Sequence, residues 1–174
     1  SGDPLRGIPR IEAAVAVDST LIPAFHRLAL WSHHINDDGR ALRYARRALE
    51  ISKEDPLMHI RSEIIEHRVL GRTDEAIRDM QRYLRDVPED ISMNLDLGYT
   101  LYTGTCRFGE AVLYLRKVLE LDPEDLEGKR AKTNNFLGHA YMYMANYDAA
   151  DSYLREFQTL MQNNADAAQS LAML

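Results

Sequence analysis

Four alanines recur along this chain at a nearly constant spacing. They are Ala41, Ala76, Ala111 and Ala150, and they lie 35, 35 and 39 residues apart. A fixed period of a few tens of residues is the signature of repeat architectures, in which each unit is one supersecondary motif stacked on the next. The spacing therefore predicts an array of four similar units.

Other features recur around the alanines. A Leu-Gly pair precedes the alanine, a large residue stands three positions after that glycine, and a proline follows the alanine by twelve positions. Examples are Leu97-Gly98 with Leu101, Leu137-Gly138 with Tyr141, and Pro88 and Pro123. This pattern resembles the tetratricopeptide repeat, whose signature contains Leu-Gly, then Tyr, then Ala, and a closing Pro. The small residues in it allow two helices of a hairpin to approach closely.

The resemblance implies an all-α fold, a right-handed superhelical solenoid of about four helical hairpins with a flanking helix at each end. We expect a single domain over residues 1–174. Its parts are a half repeat or capping helix at 5–19, repeats at 22–56, 57–90, 91–125 and 126–164, and a capping or half-repeat helix at 165–174. The extra segment 126–130 is expected to extend the first helix of the fourth repeat. In the second repeat, Glu63 and Ile64 replace an apolar and a small residue, which predicts a wider or shifted hairpin.

The ends of the sequence resemble halves of repeats. Terminal units of a stacked array cannot bury both faces, so such ends act as caps or need cover. Ser1-Gly2 resembles a remnant of a removed tag, and we therefore expect a piece excised from a longer array. Self-association through the end helices is a further expectation.

Charge and composition narrow the function classes. The net charge is −6, and residues 88–174 carry all of it, with 7 Lys/Arg against 13 Asp/Glu. Phosphate backbones demand dense positive charge, so nucleic acid is disfavoured as a partner. No apolar run is long enough for a membrane span, and the start lacks a signal-peptide pattern, which favours the cytoplasm. The single cysteine, Cys106, has no metal-ligand neighbours.

Catalytic and cofactor motifs are absent from the sequence. It contains no glycine-rich phosphate loop, no nucleophile elbow and no paired cysteines, so we predict a protein without catalysis or cofactor. His59, Glu63 and His67 are spaced by four residues and share one helix face, as zinc ligands could. We favour a hydrogen-bonded polar stripe over a metal site. A solvated outer face is the preferred interpretation of the basic patch Arg40, Arg43, Arg46 and Arg47.

In the resembled family the first helices of the hairpins line a concave groove that holds a peptide or a partner's helix. On that pattern, the predicted partner-binding residues are Arg61, Ile65, Arg68, Leu95, Tyr99, Tyr102, Asn135, His139 and Met142. Tyr and Arg are enriched among anchors of interfaces because they bury much area and keep a polar end. Tyr99, Tyr102 and Met142 are expected at the centre, flanked by Arg61 and Arg68. The alternative is that both tyrosines belong to the core.

One branch of the family clamps the C-terminal carboxylates of heat-shock chaperones with Lys, Asn and Arg. The corresponding residues here are His26, Leu30, Ser62, Ser92 and Asp96, or, one repeat later, Arg61, Ile65, Asp96, Lys132 and Phe136. An aspartate would repel a carboxylate, so we predict no such binding. The predicted function is a protein-interaction scaffold. Two alternatives stay open, a recognition region of a larger enzyme and a secretion or assembly chaperone for a basic or amphipathic client.

Overall fold

The computed structural model of the chain describes the backbone of residues 3–172 and the side chains of residues 3–162. Within these residues every regular element is an α-helix, as the sequence predicts. The contacts between helices divide the chain into two compact units, Ser1–Asp86 and Val87–Leu174. Each unit is described by itself, and the single domain over residues 1–174 stays a prediction.

Unit 1 contains one leading helix and two helical hairpins. The leading helix is α1 (Pro4–Val17), the first hairpin is α2 (Ile22–His34) with α3 (Asp38–Ile51), and the second is α4 (Pro56–Val69) with α5 (Thr73–Asp86). Unit 2 contains two hairpins, α6 (Ile91–Thr105) with α7 (Phe108–Leu121), and α8 (Arg130–Tyr143) with α9 (Tyr147–Ala172). None of the helices in residues 3–172 has the length and apolar content to cross a membrane.

The recurring alanines lie where each second helix faces the first helix of its hairpin. Ala41, Ala76 and Ala111 are fully buried, and Ala150 is 4% exposed. The facing glycine of the third hairpin, Gly98, has no room for a side chain, since an added Cβ would come within 2.7 Å of Cγ of Leu115 and 3.3 Å of the Ala111 carbonyl oxygen. Close helix approach therefore requires small residues at these positions.

A second series with the same period lies in the turns of the four hairpins. Asn36, Gly71, Cys106 and Ala145 all have left-handed backbone conformations, with φ of 62°, 68°, 54° and 57°. They are spaced by 35, 35 and 39 residues, each five positions before a recurring alanine. A left-handed residue after a helix is a common way to end it, and glycine is the residue that adopts this conformation without steric cost. Cys106 therefore occupies the left-handed position that ends the first helix of its hairpin.

Aspartates define where several first helices begin. The side chain of Asp55 accepts hydrogen bonds from the backbone N–H groups of Leu57 and Met58, and that of Asp90 accepts one from Met93. Such N-caps satisfy amide groups that the helix itself leaves unbonded. Pro56 follows its cap at the first helical position, where a missing N–H is harmless.

Helix α1 packs against α2 in unit 1. Ile8 is 3% exposed and belongs to a core cluster with Phe25, Leu28 and Ala48. The ring of Trp31 lies over Gly7 so closely that a Cβ there would be 2.0 Å from the ring. That residues 5–19 are a half repeat or a capping helix stays a prediction.

The inserted segment 126–130 differs from its predicted form. We expected it to lengthen the first helix of the fourth repeat, but α8 begins only at Arg130, and residues 126–129 form a turn. Asp125 and Gly128 have φ of 56° and 64°, which interrupts a right-handed helix. The buried carboxylate of Asp122 accepts hydrogen bonds from the backbone N–H groups of residues 126 and 127, at 2.8 and 2.9 Å. Local side-chain capping outcompetes helix extension here.

The last helix also differs from its prediction. Residues 165–172 continue α9 and do not begin a separate helix. The sequence of α9 contains neither Pro nor Gly, so no residue within it breaks the helix. Residues 173–174 lie outside the described residues.

Candidate functional site

Five aromatic rings form a connected surface in unit 2, which we call the aromatic seam. Its members are Tyr99 and Tyr102 on α6, Phe108 on α7, and Phe136 and Tyr143 on α8. The ring centroid of Phe136 lies 4.9 Å from that of Tyr99 and 5.9 Å from that of Tyr102, and Tyr102 lies 6.2 Å from Tyr143. Phe108 and Tyr143 stack in parallel at 4.8 Å. These separations are those of favourable aromatic pairs.

The seam is partly accessible to solvent. Tyr99 is 36% exposed and Tyr143 is 63% exposed, whereas Leu97, Leu101 and Leu137 on the same helices are fully buried. The alternative that the tyrosines are ordinary core residues therefore does not describe Tyr99. Burial, and after it the neighbouring Tyr143, raises the pKa of Tyr102 above its usual range.

One cation lies at the Tyr99 end of the seam. Nζ of Lys132, on the exposed first turn of α8, lies 5.5 Å from the ring centroid of Tyr99 and 5.6 Å from that of Phe136. An ammonium group over aromatic faces is attracted by their quadrupoles. The seam thus presents apolar ring faces with a positive charge at one end.

Two predicted groove residues of α8 lie elsewhere. Asn135 and His139 line a pocket of about 410 Å³ together with residues of α9, including Asp151, Leu154 and Arg155. Nδ1–H of His139 donates to the carbonyl oxygen of Asn135 at 2.8 Å. Side chains at these positions face α9, so they share a pocket with it and not with the tyrosines.

The remaining predicted residues of unit 2 have different accessibilities. Met142 is 43% exposed and is available to a partner. Leu95 is only 5% exposed. Its inclusion among the partner-binding residues is therefore corrected: an apolar side chain this buried stabilises the interior and is not free to contact a partner.

The predicted residues of unit 1 lie on α4. The guanidinium of Arg61 lies over the ring of Tyr83 on α5, 4.9 Å from its centroid. Arg68 is half-buried. Ile65 is 7% exposed and belongs to a core cluster with Ala29, Ala41, Ala45 and Val69, so its prediction as a partner-binding residue is corrected in the same way as that of Leu95.

A polar pair joins the first helices of unit 1, and both of its residues were named above only as positions equivalent to a carboxylate clamp. Nε2 of His26 on α2 lies 2.8 Å from Oγ of the buried Ser62 on α4. The hydroxyl of Ser62 donates to the carbonyl oxygen of Met58, so Nε2–H of His26 is the donor of the pair. Burial, and after it the charge of Arg61, lowers the pKa of His26 to about 4. The imidazole is therefore neutral and structural near pH 7.

The candidate zinc ligands have protein partners. Nδ1 of His67 lies 2.9 Å from a carboxylate oxygen of Asp79, and the carboxylate of Glu63 accepts from Arg82 at 2.6 Å. Nδ1 of His59 lies 3.2 Å from Oγ of Ser52. Among the described residues no three His, Cys, Asp or Glu side chains are placed to hold a metal ion. These contacts tie the three side chains to α5 and to the end of α3, and the interpretation as a polar stripe without a metal stays a prediction.

The basic patch on α3 is largely neutralised. Arg40 lies 3.3 Å from Asp37, Arg46 lies 3.4 Å from Glu66, and Arg47 lies 2.7 Å from Glu50. Exposed ion pairs of this kind contribute little energy. These contacts agree with a solvated face.

The sequence reasoning missed three of the five rings of the seam. Phe136 directly precedes the Leu137-Gly138 pair, Tyr143 ends α8, and Phe108 begins α7. The sequence pattern relates Phe136 only to a residue that clamps a carboxylate in one branch of the resembled family. One feature of the sequence identifies the position of Phe136. The residue before the Leu-Gly position lies on the side of a first helix that faces the preceding first helix. Ser62, which precedes the equivalent position on α4, also lies on that side.

Comparison with known proteins agrees with the geometry. The family model described as Tetratricopeptide repeat matches residues 92–125 and 131–164. These ranges cover most of the two hairpins of unit 2, and the gap between them falls on the inserted turn. No curated protein is significantly similar to the sequence.

Solved structures with the same fold cover most of the chain. The apo form of RapI is 17% identical, with a TM-score of 0.71, over 97% of this chain and 68% of that one. MamA from Desulfovibrio magneticus RS-1 is 14% identical, with a TM-score of 0.63, over 93% of this chain and 88% of that one. Both contain tetratricopeptide repeats. At these identities the similarity concerns the fold.

Proteins that contain these repeats have a general function in common. Tetratricopeptide repeat proteins bind protein partners, and the fold is in general a non-catalytic interaction scaffold. The recurring small residues, the helical hairpins and the matched ranges thus lead to one conclusion: residues 92–125 and 131–164 are two tetratricopeptide repeats, and the chain has the fold of proteins that contain such repeats.

Proposed function

We propose that the chain is a non-catalytic scaffold and that the aromatic seam of unit 2 binds a segment of a partner protein. The observation that carries the proposal is the partial exposure of Tyr99 and Tyr143 beside the fully buried Leu97 and Leu137. Rings that served only the core would be as inaccessible as those leucines. Exposed aromatic side chains at a rigid surface are the usual anchors of interfaces.

The helices make the seam a preformed platform. Tyr99 and Tyr102 are three residues apart on α6 and face one side of it. Phe136 contacts both rings from α8. Because each ring is held by another, little side-chain entropy is lost when a partner covers them. Lys132 adds a charge that can orient a polar group of the partner.

Selection from a random peptide library displayed on phage tests the proposal. We expect enriched peptides whose binding is lost in the variant Tyr99→Ala with Tyr102→Ala, since central anchors cost about 2 kcal/mol or more each when truncated. The matched control is Arg43→Ala with Arg47→Ala on α3, which should keep binding nearly intact.

Two further measurements keep this test decisive. Because Tyr102 is half-buried, thermal unfolding of the tyrosine variant must show that it is folded. Lys132→Ala removes an exposed side chain next to the seam and should weaken binding without a change in stability. Peptides that bind all three variants equally, or that lose binding only with the α3 control, would place the interaction surface elsewhere.

A further inference from the structure

A pocket of about 300 Å³ lies at the end of the seam away from Lys132. Its lining consists of Tyr102 and Thr103 near the end of α6, Cys106 in the turn, Phe108 at the start of α7, and Tyr143 at the end of α8. The lining contains no Lys, Arg, His, Asp or Glu side chain. Exposed Cys106 and Tyr143 leave its mouth open to solvent.

The floor of this pocket is made of rings in mutual contact. Phe108 and Tyr143 are stacked, 6° from parallel, and Tyr102 lies 5.8 Å from Phe108. The rings are too close together to enclose an ammonium group between them. Tyr143 is 63% exposed and Tyr102 and Phe108 are partly exposed, so the accessible parts of these rings fit a bulky apolar side chain, which gains by burial and by stacking.

Unit 2, which contains the pocket, is negatively charged as a whole. Unit 2 carries the whole net charge of the chain, with 7 Lys/Arg against 13 Asp/Glu. Most of these cations already face carboxylates within the unit: Arg107 with Glu110, Lys117 with Glu120, Lys129 with Glu127, Arg130 with Glu156, and Arg155 with Asp151. The field that remains attracts a basic partner and repels an acidic one.

Two carboxylates lie close to the pocket along the chain. Glu110 stands in the first turn of α7, two residues after Phe108, and Asp148 stands in the first turn of α9, which follows the turn after Tyr143. Glu110 is paired with Arg107 by two short hydrogen bonds. Lys132 is at the opposite end of the seam, so a bound cation is favoured at the pocket end.

From these observations we infer the chemistry of the partner: a basic protein segment that places one bulky apolar residue in the pocket of Tyr102, Phe108 and Tyr143. This inference rests on the proposed function and specifies its partner class. The apolar anchor supplies affinity, and lysines or arginines next to it meet the negative field. An acidic segment meets repulsion on the same surface.

Three fluorescein-labelled synthetic peptides test the inference by fluorescence anisotropy. The first has one tryptophan between lysines and arginines, the second has alanine in place of the tryptophan, and the third has the tryptophan between glutamates and aspartates. We expect binding of the first, binding at least about tenfold weaker for the second, and no saturable binding of the third. Added salt should weaken the first complex.

Variants of the protein localise the effect. Tyr143→Ala should weaken binding of the first peptide about tenfold or more, because it removes the most exposed ring of the pocket. Tyr147→Ala is the matched control, since Tyr147 is 68% exposed, close to the 63% of Tyr143, but does not line the pocket. Asp148→Lys should weaken binding in a salt-dependent way.

The outcomes separate this inference from the proposed function. Equal affinity for the acidic peptide, equal affinity for the alanine peptide, absence of saturable binding by the basic tryptophan peptide, or an unchanged affinity of Tyr143→Ala would each overturn the inference. The proposed function survives any of these results if library-selected peptides still require Tyr99 and Tyr102. It fails separately if they do not.

Discussion

Replacement of Gly98 by alanine tests the packing that defines the hairpins. An added Cβ at Gly98 would lie 2.7 Å from Cγ and 2.9 Å from Cδ2 of Leu115. Leu115 is fully buried, so it has no free volume into which it could move. Overpacking of such a site costs about 1–3 kcal/mol, and alanine regains about 0.5–1 kcal/mol over glycine in a helix. We expect Gly98→Ala to lower the free energy of unfolding by about 1–2 kcal/mol.

The equivalent Gly138 should respond differently, although its contact is closer. A Cβ there would lie 2.5 Å from Cγ of Leu154. Leu154 is only partly buried and borders the open pocket of about 410 Å³, so its side chain can rotate away. We therefore expect Gly138→Ala to change the free energy of unfolding by less than about 0.5 kcal/mol, since relief of the contact and helix propensity offset each other.

Urea unfolding followed by far-UV circular dichroism measures these differences. Gly109→Ala is the control, because a Cβ at Gly109 meets no atom within 4 Å, and it should be neutral or stabilising by about 0.5 kcal/mol. The reasoning is refuted if Gly98→Ala is as stable as the wild type, or if Gly98→Ala and Gly138→Ala lose the same free energy. Either result would mean that the core around Leu115 relaxes as easily as the open pocket.

Two more predictions concern protonation and a turn. The folded pKa of His26, about 4, is below the unfolded value, so protonation favours the unfolded state and stability is lost as pH falls from about 6.5 towards 4. Urea unfolding of unit 1, followed by the fluorescence of the single Trp31, should show that the free energy of unfolding falls by about 1–2 kcal/mol between pH 7 and pH 5. The variant His26→Gln should show a smaller fall. The same pH dependence in both proteins would contradict this prediction. Ala145→Gly should raise the melting temperature, because glycine removes the cost of about 1 kcal/mol that a non-glycine residue incurs at a φ of 57°. Gly71→Ala should lower the melting temperature for the same reason. A lower melting temperature of Ala145→Gly would show that its turn is unstrained.

The sequence alone determined the architecture of each hairpin. The period of Ala41, Ala76 and Ala111 reports a packing constraint, since a second helix can approach a first helix only where the side chain is small, and that constraint must recur in every unit. The turn at 126–130 could not be foreseen in this way. Its form depends on the hydrogen bonds that Asp122 makes to amide groups four and five residues later, which compete with helix propensity.

The accessibility of the site residues was decided only by tertiary structure. Helix periodicity places Leu95 and Tyr99 on one face of α6, four residues apart, yet Leu95 is buried and Tyr99 is accessible. The period of a helix specifies direction around its axis, but exposure depends on what the neighbouring helices cover. Phe136 joins the tyrosines for the same reason: it lies on the side of α8 that faces α6, and only the packing of those two helices brings the three rings into contact.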